Sequence, residues 1–280
     1  MSPEVLTALA EAMAQGESVA LVTIVSARGS TPQRVGAKML VYSDGRSVGT
    51  IGGGCYESDA HGKAREALRT RQPRVVRYEL SDDFADETGL ICGGQMEVFI
   101  EPIDPPPHLY IVGAGHVGHQ LGRLAPTVGF RVHVLDDREK FANADRFPDA
   151  AEIVVESIPE WLEGTPLPES SFVVVLTRGH RQDYDALRAL AGRRFRYLGM
   201  IGSRAKVSKL VDRLLADGTD PDWLRTLRAP IGLDIGAVTP EEIAISILAE
   251  LIAALRGKLG DHDSAGAPSL QWTAPALRSS

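Results

Sequence analysis

Hydrophobic and polar positions in the second half of the chain predict strands that alternate with helices. Short, nearly continuous apolar segments are typical of parallel strands covered on both faces, whereas apolar residues at every third or fourth position are typical of helices. The predicted strands span residues 109–112, 130–135, 151–155, 171–176 and 197–201, and the predicted helices span 183–191, 207–216 and 240–256. This alternation predicts a parallel sheet with helices packed on its faces.

The first half of the chain shows a different pattern, in which short strands are joined by turn signals. A helix is predicted over residues 3–15, and strands over 19–27, 38–42, 47–51, 74–80 and 95–101. Ala60, Ala64 and Ala67 recur at helical spacing after a triple glycine, so we expect a helix that Cys55 opens. Four prolines between positions 102 and 107 predict a linker between two domains.

The expected fold class is therefore α/β, with a C-terminal Rossmann-like parallel-sheet domain and an N-terminal α+β domain. A chain of 280 residues is long enough for two domains of ordinary size. We place the N-terminal domain at residues 1–104 and the Rossmann-like domain at 108–257. Residues 258–280, which are rich in Ala, Ser and Pro, are expected to form a flexible tail.

A glycine-rich turn follows the first strand of the second half and is the strongest sign of ligand binding. Gly113 would permit a tight turn, Gly115 would let backbone amides approach a pyrophosphate, and Gly118 would let the following helix lie close to the sheet. Asp136 ends the next strand, where an acidic residue can accept hydrogen bonds from a ribose. The alternative is a glycine turn that only packs a helix on a sheet.

Cations and glycines follow two further predicted strands. Arg178 and His180 come after the fourth strand, and Gly202, Ser203 and Arg204 come after the fifth. Ligands of open α/β sheets lie at the carboxyl ends of the strands, where helix N-termini and guanidinium groups favour anions. We expect a ligand that carries phosphate. The alternative is that Arg178 and Arg204 are solvated surface groups and that His180 is a loop histidine bonded to backbone.

The two cysteines are candidate reactive groups. Cys55 follows Gly52, Gly53 and Gly54, whose amides we expect to lower the pKa of the thiol and favour a thiolate, an effect that Glu57 would oppose. Cys92 also lies beside glycines and is the weaker candidate. Both could instead be small buried hydrophobic residues. We expect the Cys55 segment and the crevice of the second half to open onto a common hollow that takes an anionic ligand.

Composition narrows the class of protein. A net charge of −7 argues against nonspecific binding of nucleic acid, and no apolar segment approaches the length of a membrane helix. The chain has only two cysteines and shows no apolar targeting stretch at its N-terminus, and both observations favour a reducing, cytoplasmic compartment. The sequence contains no zinc-binding spacing and no Walker A loop.

Several linked motifs, in order along the chain, resemble the XdhC/CoxI family of xanthine dehydrogenase accessory proteins. The resemblance covers almost everything from about residue 18 to residue 255. The motifs lie at residues 29–32 and 36–39, 52–57, 92–94, 113–118, 177–180 with Asp183, 199–204, 230–236 and 239–244.

The resemblance implies a chaperone for the molybdenum cofactor rather than an enzyme. Such a protein binds the molybdopterin cofactor, whose dinucleotide form carries a pyrophosphate, holds it while a cysteine desulfurase supplies the terminal sulfur, and helps to insert it into an apo molybdenum hydroxylase. A Cys55 thiolate could contact the molybdenum or a sulfur atom; this is our own hypothesis. The candidate cofactor-binding residues are Gly52, Gly53, Gly54, Cys55, Glu57, Gly113, Gly115, His116, Gly118, Asp136, Arg178, His180, Gly202, Ser203 and Arg204.

Two other functions stay open at this point. An NAD(P)-dependent oxidoreductase could use the same glycine turn, with His180 as its only fair candidate for a proton donor or base. A pure adaptor could bridge the desulfurase and the hydroxylase without holding cofactor. The pattern also leaves open whether the crevice binds the pterin or a separate nucleotide, and it allows a homodimer.

Overall fold

The computed structural model of the chain describes residues 3–79 and 94–259. The chain divides into two compact units, Met1–Pro106 and Pro107–Ser280. The first unit contains an antiparallel sheet with helices, and the second contains a parallel sheet with helices. The predicted fold class, an N-terminal α+β domain and a C-terminal Rossmann-like domain, is confirmed. Apart from residues 258 and 259, the predicted tail lies outside the described residues.

The first unit is built on a five-stranded sheet in the order β3-β2-β1-β5-β4, in which all neighbours are antiparallel. Helix α1 packs on one face of the sheet and helix α2 on the other, because alternate residues of the central strands point to opposite sides. The elements are α1 Pro3–Gln15, β1 Val19–Arg28, β2 Lys38–Tyr42, β3 Ser47–Gly49, α2 Gly54–Thr70, β4 Arg74–Glu79 and β5 Gln95–Ile103.

The predicted linker begins too early. Strand β5 continues to Ile103, and Pro102 pairs with Ala20 of β1. The pairing of β4 with β5 reaches only Ile100, so Pro102 lies where β5 has a single neighbour. A proline, which lacks an N–H group, is tolerated in such an edge position.

The second unit is built on a six-stranded sheet in the order β11-β10-β9-β6-β7-β8, with all neighbours parallel. If β6 is counted as the first strand, this is the order 3-2-1-4-5-6 of Rossmann sheets, and the direction of winding changes between β6 and β9. The strands are β6 His108–Val112, β7 Arg131–Leu135, β8 Glu152–Val154, β9 Phe172–Val175, β10 Tyr197–Met200 and β11 Leu227–Arg228.

Helices cover both faces of this parallel sheet, and a separate hydrophobic cluster lies on each face. Thr239 caps the last helix in a capping box with Glu242. None of the helices in the described part of the chain is long and apolar enough to cross a membrane. The helices are α3 His116–Leu124, α4 Ile158–Gly164, α5 His180–Leu190, α6 Arg204–Ala216, α7 Pro221–Thr226 and α8 Pro240–Leu255.

Helices α5 and α6 each begin three residues before the predicted start. His180 is therefore the first residue of α5 and Arg204 the first residue of α6, rather than members of preceding loops. Both side chains lie where β9 and β10 deliver the chain to the carboxyl edge of the sheet. The short elements α4, α7 and β11 were not predicted.

Candidate functional site

The glycine turn after β6 has the form that a nucleotide-binding turn requires. Gly113 has a φ of +113°, and a Cβ there would lie 2.4 Å from the carbonyl oxygen of Leu176. A Cβ on Gly118 would lie 2.1 Å from the carbonyl oxygen of Gly113, so a side chain would push α3 away from the turn. At Gly115 a Cβ would meet nothing within 4 Å. Gly113 and Gly118 therefore serve the packing of the turn, and Gly115 faces open space.

Asp136 is buried and fully engaged by the protein itself, with 1% of its surface exposed. One carboxylate oxygen accepts from the Ala114 amide at 2.8 Å and from Arg138 Nη2 at 2.8 Å. The other accepts from the amide of Arg138 at 3.1 Å and from Nε of Arg138 at 2.7 Å. Burial raises the pKa of Asp136, but these hydrogen bonds outweigh it and lower the pKa.

Asp136 therefore joins the glycine turn to β7. Its expected role as a ribose acceptor would require Arg138 to leave the carboxylate. The neighbouring Asp137 is more exposed and accepts from Arg178 at 3.1 Å and from Gln182 at 3.0 Å. Arg178 is thus tied to an acid of the protein.

Other predicted groups at the carboxyl edge have no partner among the described residues. His116, His180 and Arg204 are exposed, and none makes a hydrogen bond or an ion pair through its side chain with another described residue. Helices α3 and α5 begin after Gly115 and Gly179, and neither N-terminus has a side-chain cap. Uncapped N-terminal amides favour an anion.

Ser203 has a different use from the predicted one. Its hydroxyl accepts from the amide of Lys206 and so caps α6. A Cβ on Gly202 would lie 2.9 Å from the Lys206 side chain, so this glycine makes room for Lys206. The N-terminus of α6 is therefore already satisfied in part, unlike those of α3 and α5.

A buried ion pair beneath these helix ends was missed by sequence reasoning. Asp183 is fully buried and accepts from the Thr177 hydroxyl at 2.6 Å. Lys206 Nζ lies 2.5 Å from the second carboxylate oxygen, at an angle too poor for a hydrogen bond. The pair joins α5 to α6 and fixes the loops that follow β9 and β10. In the sequence, Asp183 is only part of a motif, because the predicted helix begins at Asp183, whereas the observed helix begins at His180 and places Asp183 in its first turn.

A cleft of about 260 Å³ lies beside Arg204 and was also missed. Its main wall is the 230s loop, which we define as residues 230–237 after β11. Ser246 of α8 donates to the carbonyl oxygen of Leu233 at 2.6 Å, and the Leu233 amide donates back to Ser246 at 3.3 Å. The amide of Gly232 donates to the buried carboxylate of Glu250. These bonds fix the loop on α8.

In the first unit, the glycine loop before α2 surrounds a carboxylate of the protein. One oxygen of Glu57 accepts from the Thr50 hydroxyl at 2.5 Å and from the amides of Ile51, Gly52 and Gly53 at 2.8, 3.1 and 3.0 Å. Gly52, Gly53 and Gly54 all have positive φ, which turns these amides inward. Burial raises the pKa of Glu57, but the four hydrogen bonds outweigh it and lower the pKa.

Cys55 is exposed and lies in the first turn of α2, after Gly54. It is therefore not a buried hydrophobic residue, which was the alternative interpretation. Of the three amides expected to act on its thiol, those of Gly52 and Gly53 donate to Glu57 instead. Cys92 lies outside the described residues. Within residues 3–79 and 94–259, no group of three or more His, Cys, Asp or Glu residues could hold a metal ion, and a molybdenum contact at Cys55 stays a prediction.

Comparison with known proteins gives matches over both units. Residues 109–251 match the family model described as the XdhC Rossmann domain, and residues 12–79 match the model of the XdhC and CoxI family. A crystal structure described as a xanthine dehydrogenase from Bacillus halodurans is similar in fold, with a TM-score of 0.51 and 27% identity. The similarity covers 92% of this chain and 97% of that one.

Three curated proteins are similar in sequence. The uncharacterized protein YqeB of Escherichia coli is 37% identical over 89% of this chain, and the aligned part spans 46% of YqeB, so about half of that relative has no counterpart here. A probable xanthine dehydrogenase subunit from Bacillus subtilis is 24% identical over 84% of this chain and 93% of its own length. The molybdenum cofactor insertion chaperone PaoD of Escherichia coli is 23% identical over 86% of this chain and 85% of its own length.

Proposed function

Because the chain belongs to the XdhC and CoxI family, we propose that it binds the molybdenum cofactor and delivers it to an apo molybdenum hydroxylase of the xanthine dehydrogenase type. Before delivery it holds the cofactor while a cysteine desulfurase supplies the terminal sulfur. The chain acts as a maturation chaperone, so the cofactor is its cargo. The names of the Bacillus subtilis relative and of PaoD support this class of function.

The observation that carries the proposal is the set of unsatisfied groups at the carboxyl edge of the parallel sheet. The uncapped N-termini of α3 and α5 lie after adjacent strands, and His180 and Arg204 add side-chain donors without protein partners among the described residues. Each helix N-terminus favours an anion by about 0.3–1 kcal/mol at an exposed site. Such an arrangement suits the phosphate of molybdopterin or the pyrophosphate of a dinucleotide form.

Cys55 supplies the second part of the proposal. Its thiol is exposed and lies beside a loop that Glu57 holds in one conformation. A thiolate is a good ligand for a soft metal and a good carrier of sulfur. In our proposal Cys55 contacts the molybdenum or its sulfur while the cofactor is held.

An NAD(P)-dependent oxidoreductase has less support. The strand order and the glycine turn suit a dinucleotide, but Asp136, which would accept from the ribose, is occupied by Arg138. His180, the candidate proton donor, has no described partner that would orient it. A pure adaptor would leave the unsatisfied donors of the carboxyl edge without a use.

The proposal is tested by identifying the small molecules that copurify with the full chain. The protein is coexpressed with cofactor biosynthesis and purified without oxygen, and molybdenum is measured by elemental analysis and pterin by fluorescence after oxidation. We expect both in a constant ratio, together with activation of an apo hydroxylase. Bound nicotinamide nucleotide identified by mass spectrometry would indicate the oxidoreductase, and neither molybdenum nor pterin would indicate the adaptor.

Two pairs of variants locate the site. Arg204→Ala is expected to lower cofactor affinity about tenfold or more, because a hydrogen bond to a charged group contributes roughly 1.5–3 kcal/mol. Arg188→Ala is the control, because Arg188 is exposed and lies in the last turn of α5, away from the carboxyl edge. Cys55→Ser is expected to lower molybdenum retention and activation, with Ser58→Ala on the same helix as its control. Unchanged retention in both test variants would remove these residues from the site.

We also propose that the protein works in the cytoplasm as a homodimer that protects its cargo. Two cysteines in the whole chain suit a reducing compartment. Light scattering of the purified protein measures the number of protomers, and cell fractionation tests the compartment. A monomer at working concentration would contradict the homodimer.

A further inference from the structure

Opposite charges line the cleft beside the 230s loop without neutralising each other. Arg204 and Asp234 both contribute to its wall, and both are exposed. Neither makes an ion pair or a side-chain hydrogen bond with any described residue, including the other. Because Arg204 and Asp234 line the same cleft and do not pair with each other, each can bind a different group of one ligand.

Apolar side chains also line the cleft, beside Ser246 and the backbone of the loop. Ile231, Leu233, Ile235 and Ile243 line the cleft, and 56% of the surface of Ile235 is exposed. Pockets for drug-sized ligands hold about 300–1,000 Å³. A cleft of about 260 Å³ is therefore large enough for one flat ring system and too small for a whole dinucleotide.

The cleft is also held in shape before any ligand arrives. Glu250 is 4% exposed, and besides the Gly232 amide it accepts from the Tyr197 hydroxyl at 2.8 Å. The amide of Ile231 donates to the carbonyl oxygen of Met200 at 3.0 Å, which continues the pairing beyond β11. A preformed wall reduces the ordering cost of binding.

From these features we infer that the cleft binds the 2-amino-4-oxopyrimidine edge of a flat heterocycle, as pterin and guanine carry it. The Asp234 carboxylate would accept from the ring N–H and the adjacent amino group, and the isoleucine and leucine side chains would pack on the ring faces. Arg204 would meet the anionic part of the same ligand. This inference rests on the proposed function, since the molybdenum cofactor contains a pterin.

The order of the strands would allow a single ligand to extend along the carboxyl edge of the parallel sheet. Along the carboxyl edge, the strand next to β11 is β10, which Arg204 follows in the chain. The next strand is β9, which His180 follows, and then β6, which the glycine turn follows. Neighbouring strands lie about 4.8 Å apart, so β10 and β6 are separated by roughly 10 Å. A ring in the cleft would thus leave phosphates to extend toward the uncapped helices α5 and α3.

The experiment measures binding of defined probes to the full chain. Pterin-6-carboxylate and guanosine monophosphate carry the edge, and lumazine-6-carboxylate replaces the amino group of the pterin with an oxygen. We expect pterin-6-carboxylate or guanosine monophosphate to bind, and whichever binds tighter identifies the source of the ring. A carboxylate that pairs with two base donors discriminates by about 1–3 kcal/mol, so Asp234→Asn should weaken binding roughly 5- to 150-fold.

Asp212→Asn on α6 is the matched control, because Asp212 is exposed and lies outside the cleft. It should leave the affinity unchanged, and lumazine-6-carboxylate should bind about fivefold more weakly than the pterin, or weaker still. Three results would each overturn the inference. They are equal affinity for pterin-6-carboxylate and lumazine-6-carboxylate, an unchanged affinity in Asp234→Asn, and no binding of either pterin-6-carboxylate or guanosine monophosphate. Retention of molybdenum by the Asp234→Asn variant at the wild-type level would overturn this inference alone, whereas absence of molybdenum and pterin from the wild type would overturn the proposed function.

Discussion

Replacing Glu57 with glutamine removes one negative charge and almost no volume from the glycine loop of the first unit. The carboxylate accepts four hydrogen bonds, three of them from the consecutive amides of Ile51, Gly52 and Gly53. Hydrogen bonds to a charged acceptor contribute roughly 1.5–3 kcal/mol each, and neutral ones about half as much. Because a neutral amide oxygen weakens each of these hydrogen bonds, and because the site is partly open to solvent, we expect a loss of about 2 kcal/mol in the stability of the loop.

The assay is hydrogen exchange of the loop amides, measured by mass spectrometry on the full chain. A loss of about 2 kcal/mol corresponds to a roughly 30-fold fall in protection, since about 1.4 kcal/mol is a factor of ten. Glu66→Gln is the matched control, because Glu66 lies on the same helix and bonds Arg74 at 2.7 Å, away from the loop. Unchanged protection of the loop in Glu57→Gln, or an equal fall in Glu66→Gln, would show that the carboxylate does not hold the loop.

The same carboxylate predicts a dependence on pH. The folded-state pKa of Glu57 is lowered from its usual value of 4.5, so its contribution to stability is present above pH 4.5 and is lost as the pH falls through the folded-state pKa. In the wild type, protection corrected for intrinsic exchange should decrease in that acidic range. In Glu57→Gln this decrease should be absent, and a wild-type loop with constant protection would refute the assignment.

Three further perturbations test the second unit by urea unfolding, followed by tryptophan fluorescence. Gly118→Ala should destabilise it by about 1–3 kcal/mol because the new methyl group overpacks the turn, whereas Gly115→Ala, which meets no atom within 4 Å, should not. Asp183→Asn should cost about 3 kcal/mol, because it leaves the partly buried Lys206 ammonium without its carboxylate partner, and an unchanged midpoint would contradict this. Burial lowers the pKa of His133 below its usual 6.5, so stability should fall as the pH drops below 6.5, and His133→Gln should reduce that slope.

The elements that could be predicted from the sequence are those long enough to show a period or a turn signal. The Pro3–Gln15 helix and the Lys38–Tyr42 strand have the predicted bounds. Helices Ile158–Gly164 and Pro221–Thr226 span two turns or less, which is too short for an apolar stripe to repeat. Strand Leu227–Arg228 has two residues and exists only through its pairing with β10, a contact that no local pattern contains.

The candidate site was predictable in its glycines and less so in its charges. The roles of Gly113 and Gly118 follow from their spacing in the sequence, because only a residue without a side chain fits at either position. The hydrogen-bond donors to Asp136 and Glu57 depend on the directions in which the backbone amides of each turn point, and these directions cannot be predicted from the residue types alone. The sequence shows the 230s loop only as a motif and does not predict its cleft, since the loop forms the cleft with Arg204, about thirty positions earlier in the chain.

Both units use an acid of the protein to satisfy backbone amides of a glycine-rich turn. Glu57 accepts from three amides in the first unit, and Asp136 accepts from Ala114 in the second. Glycine-rich sequence therefore overstates the number of amides that an anionic ligand can use, because some are needed to hold the turn itself. At the carboxyl edge of the described parallel sheet, the uncapped starts of α3 and α5 stay available, together with the side chains of His116, His180 and Arg204. Under the proposed function, an anionic cargo can bind and leave there without breaking either turn, as the delivery of a cargo requires.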